Sequence, residues 1–307
     1  MSRSRFQVNS SHRIRSRCGC RLAGILILSA AGCTPANVSI NAESLGVSAD
    51  ERARWADRVD WSDWGAFLSA AATGDGINRD GVSQQRHCLH RFLSMLAEIG
   101  PSRTPRLFTS RESKLAYFIN AYNATIQYVN DAMMFNSMPM PWRYARRESS
   151  YSFNIDGAAR TPADLHREAI KLAGDDWRVI FALADGRAIG PPLWKRPYLG
   201  DMLDGQLDDA VRRAIASPRV VAMSHTDVKR LELWWGLYEI RDRLVADYEA
   251  RSGAKGAVVL NALLHWAEPL RRAELQGAVG YPIVSRRDDA SFDFQQITPG
   301  GKDEPAR

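Results

Sequence analysis

Four amides at helical spacing, Asn120, Asn123, Gln127 and Asn130, form the pattern in this sequence that most needs a chemical explanation. At roughly 100° of rotation per residue they make one stripe of a helix, beside an apolar stripe of Leu115, Phe118, Ile119, Tyr122, Ile126 and Val129. Asn is an indifferent helix former, and amides bordering a buried face need hydrogen-bond partners from elsewhere in the chain or from a ligand. Asp185, His166 and Tyr198 are the other candidates for a pocket, each a single polar residue with no partner visible in the sequence. Asp185-Gly186 reads first as a turn, and His166 first as a helix-surface residue. Cys88 is the one cysteine beyond Cys33, so no internal disulfide forms there, and its place beside Leu89 reads as a small buried hydrophobe. His87, Cys88 and His90 carry metal-capable atoms, but Cys88 and His90 point to different sides of a helix, whereas zinc needs convergent ligands. The run Gly74 to Gly81, GDGINRDG, lacks the bidentate Glu of a calcium loop. Asp208 with Arg212 and Asp209 with Arg213 have the spacing of solvated helix ion pairs. No metal and no cofactor is expected, and the glycines between Gly186 and Gly200 have the wrong spacing to cradle a phosphate.

The amides belong to a helix from Ser110 to Asn130, for which Thr109 and Glu112 offer a capping box. Around it the spacing predicts a helix with aromatic anchors Trp64 and Phe67 within Glu51 to Ala72. A second runs over Val82 to Ile99, with Leu89, Phe92, Leu93 and Leu96 inward. Met133, Met134, Met138, Met140 and Trp142 mark a loop suited to cover a groove. Ser150 to Asp156 alternates like a strand and ends in an Asp156-Gly157 turn. Thr161, Pro162 and Asp164 open a helix running to Leu172. Trp177 to Ala184, WRVIFALA, is short, apolar and β-rich, which predicts a buried strand. Leu203, Leu207, Val211, Ala214 and Ile215 form the inner face of another helix, and Leu231 to Tyr248 and Ala257 to Arg272 read as two more. The fold class is α+β: a single mixed domain, mainly helical, around a small β-sheet containing the Tyr151 and Trp177 strands.

A net charge of +6 first suggests a nucleic-acid or membrane partner. Its location changes that reading, because Arg3, Arg5, Arg13, Arg15, Arg17 and Arg21 precede Cys33 with no acid among them, and the remaining chain is balanced. No nucleic-acid partner is expected of a neutral body. The arginines lead into Leu22 to Ala31, an apolar run too short to span roughly 30 Å of hydrocarbon, which reads as a signal peptide over residues 1–32. It ends in Ala30-Ala31-Gly32-Cys33, which resembles the bacterial lipobox, so Cys33 is the expected lipid attachment site, carrying diacylglycerol and a fatty acyl group such as palmitate. Thr34 in place of Asp after Cys33 favours the outer membrane, on the periplasmic side of the cell envelope. Residues 33–49 then read as a polar tether, 50–285 as the folded domain and 286–307 as a disordered tail.

Three stretches carry a resemblance to a known family. KLAYFINAYNA from Lys114 to Ala124, the strand, turn and helix from Tyr151 to Lys171, and Asp175 to Arg212 together resemble domain-of-unknown-function family 547. The resemblance implies a polar site built on Cys and His, yet Ile180 stands where the family commonly has His. Ala184-Asp185 replaces Asn-Cys, Ile189-Gly190 replaces Ser-Cys before the double proline, and His166-Arg167 replaces Glu-His. A thiolate nucleophile with its base has no counterpart at these positions. The expected function is that of a membrane-anchored envelope lipoprotein acting as a non-catalytic binding or scaffold protein, with an unknown envelope ligand or protein as partner. The alternative is an envelope hydrolase that has moved its chemistry to residues such as Asp185, His166 or Tyr198.

Overall fold

The helix Arg111–Phe135 is the axis of the molecule. A computed structural model describes residues 35–40, 42–74, 76–135, 147–187, 189–224, 228–286 and 294–295. From Leu115 through Gln127 every residue of this helix is buried, amides included, so it lies inside the protein. Its start is secured by a reciprocal pair one residue later than the sequence suggests. The Ser113 N–H donates to Ser110 Oγ at 3.0 Å and the Ser110 N–H to Ser113 Oγ at 3.2 Å. Met133 and Met134 belong to its last turn, and the rest of the Met-rich stretch lies outside the described residues, as do the signal-peptide stretch and Cys33.

Helices Ser62–Ala71 and Arg86–Glu98 cover one side of the axis, and Pro162–Ala173 covers another. The predicted helix from Val82 is broken at Gln85: a short helix, Arg79–Gln84, capped by the Asn78 side chain, precedes the longer one. Thr161 and Asp164 form a full capping box with Pro162 in the first turn, as the sequence predicts.

The strands among the described residues form small sheets that send Phe153, Ile155, Val221 and Leu233 into the core. β1 (Ala36–Val38) runs parallel to the later strand Tyr151–Ile155, and β2 (Ile77–Asn78) runs parallel to Phe294–Gln295. In chain order these partners are β3 (Tyr151–Ile155) and β8 (Phe294–Gln295), with β4 (Ala158–Arg160) antiparallel to β3 through the Asp156-Gly157 turn. Asp156 adopts a positive φ of 56°, and its carboxylate accepts from the N–H groups of Ser102 and Arg103. β5 (Val221–Ser224), β6 (Arg230–Trp234) and β7 (Ile283–Arg286) make a second three-stranded sheet with β6 in the middle.

Several sequence expectations are corrected. Residues 36–38 are a strand, and Ala42 and Val47 are core residues, so ordered structure begins well before Asp50 and the stretch is no free tether. In the stretch read as a tail, Phe294–Gln295 pairs with β2. Trp177 to Ala184 is not a strand: Trp177–Phe181 is a 3₁₀ helix whose cap, Asp176, accepts from the Arg178 N–H at 3.1 Å. Trp177 and Phe181 enter one hydrophobic core, built with Val211, Leu233 and Trp266, while Val179, Ala182 and Leu183 enter the core around the axial helix. A segment covered on both sides is apolar throughout, so its composition imitates a buried strand. Leu231 begins in β6, not in a helix, with Leu231 and Leu233 inward and Glu232 between them, and the helices that follow are Trp235–Glu239 and Arg241–Ser252. The Ala257 to Arg272 stretch is two helices, Val259–Trp266 and Pro269–Gln276, parted at the proline.

Candidate functional site

The irregular segment 182–198 crosses the axial helix, and the helix amides hold it. Asn123 Nδ2 donates to the Ala182 carbonyl and its Oδ1 accepts from the Ala184 N–H, both at 2.9 Å. Asn120 engages both backbone groups of Tyr198, donating to the carbonyl at 2.7 Å and accepting from the N–H at 3.0 Å. Its remaining valences go to the Ala116 carbonyl at 2.9 Å and the Trp64 indole N–H at 3.0 Å. Asn130 Nδ2 reaches the Asp185 carbonyl at 3.3 Å. Each amide thus stands in for a rung of β-ladder, satisfying backbone groups that a helix cannot otherwise pair. The segment comes close enough that a Cβ on Gly200 would sit 2.6 Å from the Ser113 Cα, so only glycine fits there.

A polar group lies where this segment meets the helix Pro162–Ala173. The His166 ring stands edge-on to Tyr122, centroids 5.4 Å apart, and the Tyr122 hydroxyl donates to Glu148 at 3.4 Å. Burial pushes the His166 imidazole below its ordinary value, opposed by the charges of Glu148 and Asp185. Asp185 accepts from the Arg187 N–H at 3.0 Å and ion-pairs with its guanidinium at 2.9 Å. Gln127 Nε2 and Asn130 Oδ1, both in buried side chains, have no hydrogen-bond partner among the described residues. Tyr122 and Glu148 are thus joined by a hydrogen bond, while His166 meets Tyr122 through its ring and Glu148 and Asp185 through their charges. The Cys88 thiol lies elsewhere, bonded to Gln85 Oε1 at 3.2 Å, with burial raising its pKa.

The five candidates from sequence therefore fall into two sets. Asn120, Asn123 and the Tyr198 backbone form the clamp, whereas His166 and Asp185 share an electrostatic environment. The Tyr198 phenol is buried, which pushes it up to about 12 against the opposing charge of the Arg213 guanidinium. Arg213 also stacks 4.1 Å from the Trp194 ring centroid, so the predicted Asp209–Arg213 pair gives way to Asp209–Arg212 at 2.7 Å. Asp208 pairs with Arg212 only at 3.9 Å, and its closer partner is Arg178 at 2.5 Å.

Sequence reasoning missed a cavity of about 570 Å³ beside this stack, lined by Trp194, Arg196, Leu199, Met202, Gly205 and Arg212 among others. The available signal was Gly205, a glycine within an otherwise strongly periodic helix, Leu203–Ala216.

The segment holding the clamp is also the one that matches a known family. Residues 106–215 match the family model described as protein of unknown function, DUF547. Over that span the chain is similar to the DUF547 family. No curated protein and no solved structure matches the chain. The DUF547 span takes in the axial helix, the β3–β4 hairpin, the 3₁₀ turn and nearly all of the helix Leu203–Ala216. Two positions where the chain departs from the resemblance described above are neighbours in space. A Cβ on Gly190 would lie 3.7 Å from Asp185 Oδ1 and 3.6 Å from Trp234 Nε1. Positions 185 and 190 thus share one locality of the structure.

Proposed function

We propose that the protein is an exported envelope lipoprotein, anchored through lipid on Cys33, that binds or scaffolds without catalysis. The observation that carries this reading is the commitment of the axial amides to the backbone of residues 182–198, which makes the polar stripe a structural device. Asp185 is likewise engaged by Arg187, its own neighbour in the loop. Complementation tests the reading. In cells lacking the protein, His166→Ala and Asp185→Asn variants at equal abundance restore wild-type growth under envelope stress, and Cys33→Ser does not. Mass spectrometry of the membrane fraction finds diacylglycerol on Cys33, and a mature chain beginning elsewhere refutes the anchor.

A second reading, an envelope hydrolase with relocated chemistry, draws on one observation. The His166 imidazole lies beside Tyr122 and within reach of the Glu148 and Asp185 charges. It predicts the opposite result: His166→Ala is folded, abundant and inactive in the same complementation.

A further inference from the structure

The cavity between residues 194–202 and the start of the helix Leu203–Ala216 has the features of a ligand site. Its volume of about 570 Å³ falls within the range that holds small organic molecules. Trp194, Leu199 and Met202 give it an apolar lining, and Met202 is 55% exposed although it is a large apolar side chain. One face of the Trp194 ring is occupied by Arg213, which fixes the indole in place. The acids of the wall are already engaged, Asp208 by Arg178 and Asp209 by Arg212. Arg196, by contrast, is exposed at the cavity and has no hydrogen-bond or ion-pair partner among the described residues.

Gly205 is the second, independent mark. It is the third residue of its helix, its φ is not in the left-handed region, and an added Cβ would meet nothing within 4 Å. Neither backbone conformation nor packing calls for glycine here, and glycine disfavours a helix relative to alanine. The missing side chain leaves open space on the exposed stretch of helix that lines the cavity.

We propose that this cavity binds a small amphiphile with a flat aromatic body and one anionic head. The body lies between Trp194 and Met202 over Gly205, and the head meets the Arg196 guanidinium. The proposal gives a ligand class to the binding role above and rests on that reading, but its test does not require the lipid anchor.

The full chain carrying Cys33→Ser, which has no lipid attached, is titrated calorimetrically with 2-naphthalenesulfonate, neutral 2-naphthol and cationic 2-naphthylmethylammonium. The sulfonate binds at one site and the cation does not. Arg196→Ala weakens the sulfonate by about tenfold and leaves naphthol unchanged, as expected for loss of one charge-assisted contact. Gly205→Trp fills that open space and abolishes binding while circular dichroism shows a fold at least as stable. If that variant does not fold, Gly205→Leu makes the same comparison. A folded Gly205→Trp or Gly205→Leu protein that binds like the parent, or a parent that binds no sulfonate at millimolar concentration, overturns the site. Equal binding of all three probes overturns the anionic head. An unacylated Cys33 in cells together with intact probe binding removes the anchor and sustains the site.

Discussion

Asn120 shows how much one side chain can hold. It makes four hydrogen bonds from a fully buried position, two of them to the same residue, Tyr198. Asn120→Ala leaves buried backbone groups unpaired, so urea denaturation should show a loss of about 1–3 kcal/mol per orphaned group. Asn123→Ala should behave the same way through Ala182 and Ala184. His166 governs a different property. Its folded pKa lies below the unfolded value because burial disfavours the cation, so the unfolded chain binds more protons between those two values. Stability is therefore complete above the ordinary imidazole pKa and falls as pH drops through that window. Melting temperature should decline as pH falls below the ordinary imidazole pKa, and His166→Phe should flatten the decline. His90, packed at a tilt against Tyr128 and likewise shifted down by burial, contributes a drop of the same sign that remains in the His166 variant.

At the scale of elements, the helix Leu203–Ala216 carries a glycine that its packing does not need. Gly205→Ala should raise unfolding stability by about 0.5–1 kcal/mol, read from the denaturation midpoint at unchanged slope. The 3₁₀ turn at Trp177–Phe181 depends on Arg178, whose guanidinium meets Asp176 at 2.8 Å, Asp204 at 2.7 Å and Asp208 at 2.5 Å. The periodicity of the longer helices was legible in the sequence, as were the Thr161 capping box and the Asp156-Gly157 turn, because these signals are local. The 3₁₀ turn was not. Its apolar run reflects two cores meeting on either side of it, and no window along the chain contains that information.

For the whole molecule, the position of β1 matters most. Ala36 pairs with Tyr151, so the chain is fixed to the domain three residues after Cys33. Three peptide units reach at most about 11 Å. With lipid on Cys33, as proposed, the β1–β3 end of the domain is therefore held against the bilayer. A fluorophore on Asn37→Cys in the acylated protein should be quenched strongly by nitroxide headgroup lipids, and one on Ser252→Cys weakly. Equal weak quenching would refute this orientation while leaving the anchor in place.

The sequence by itself determined the family resemblance, the mainly helical α+β class and the need of the amide stripe for partners. Each of these follows from residue type and spacing along one element. Only the tertiary structure decided who those partners are: the backbone of residues 182–198, which lies some sixty to eighty positions away along the chain for Asn120 and Asn123. An amide bonds the backbone of any residue equally well, so nothing in the identities of Ala182, Ala184 or Tyr198 announces the contact. The same reason hid the cavity: Trp194, Arg196 and Gly205 become one site only when the segment after the clamp folds back onto its helix.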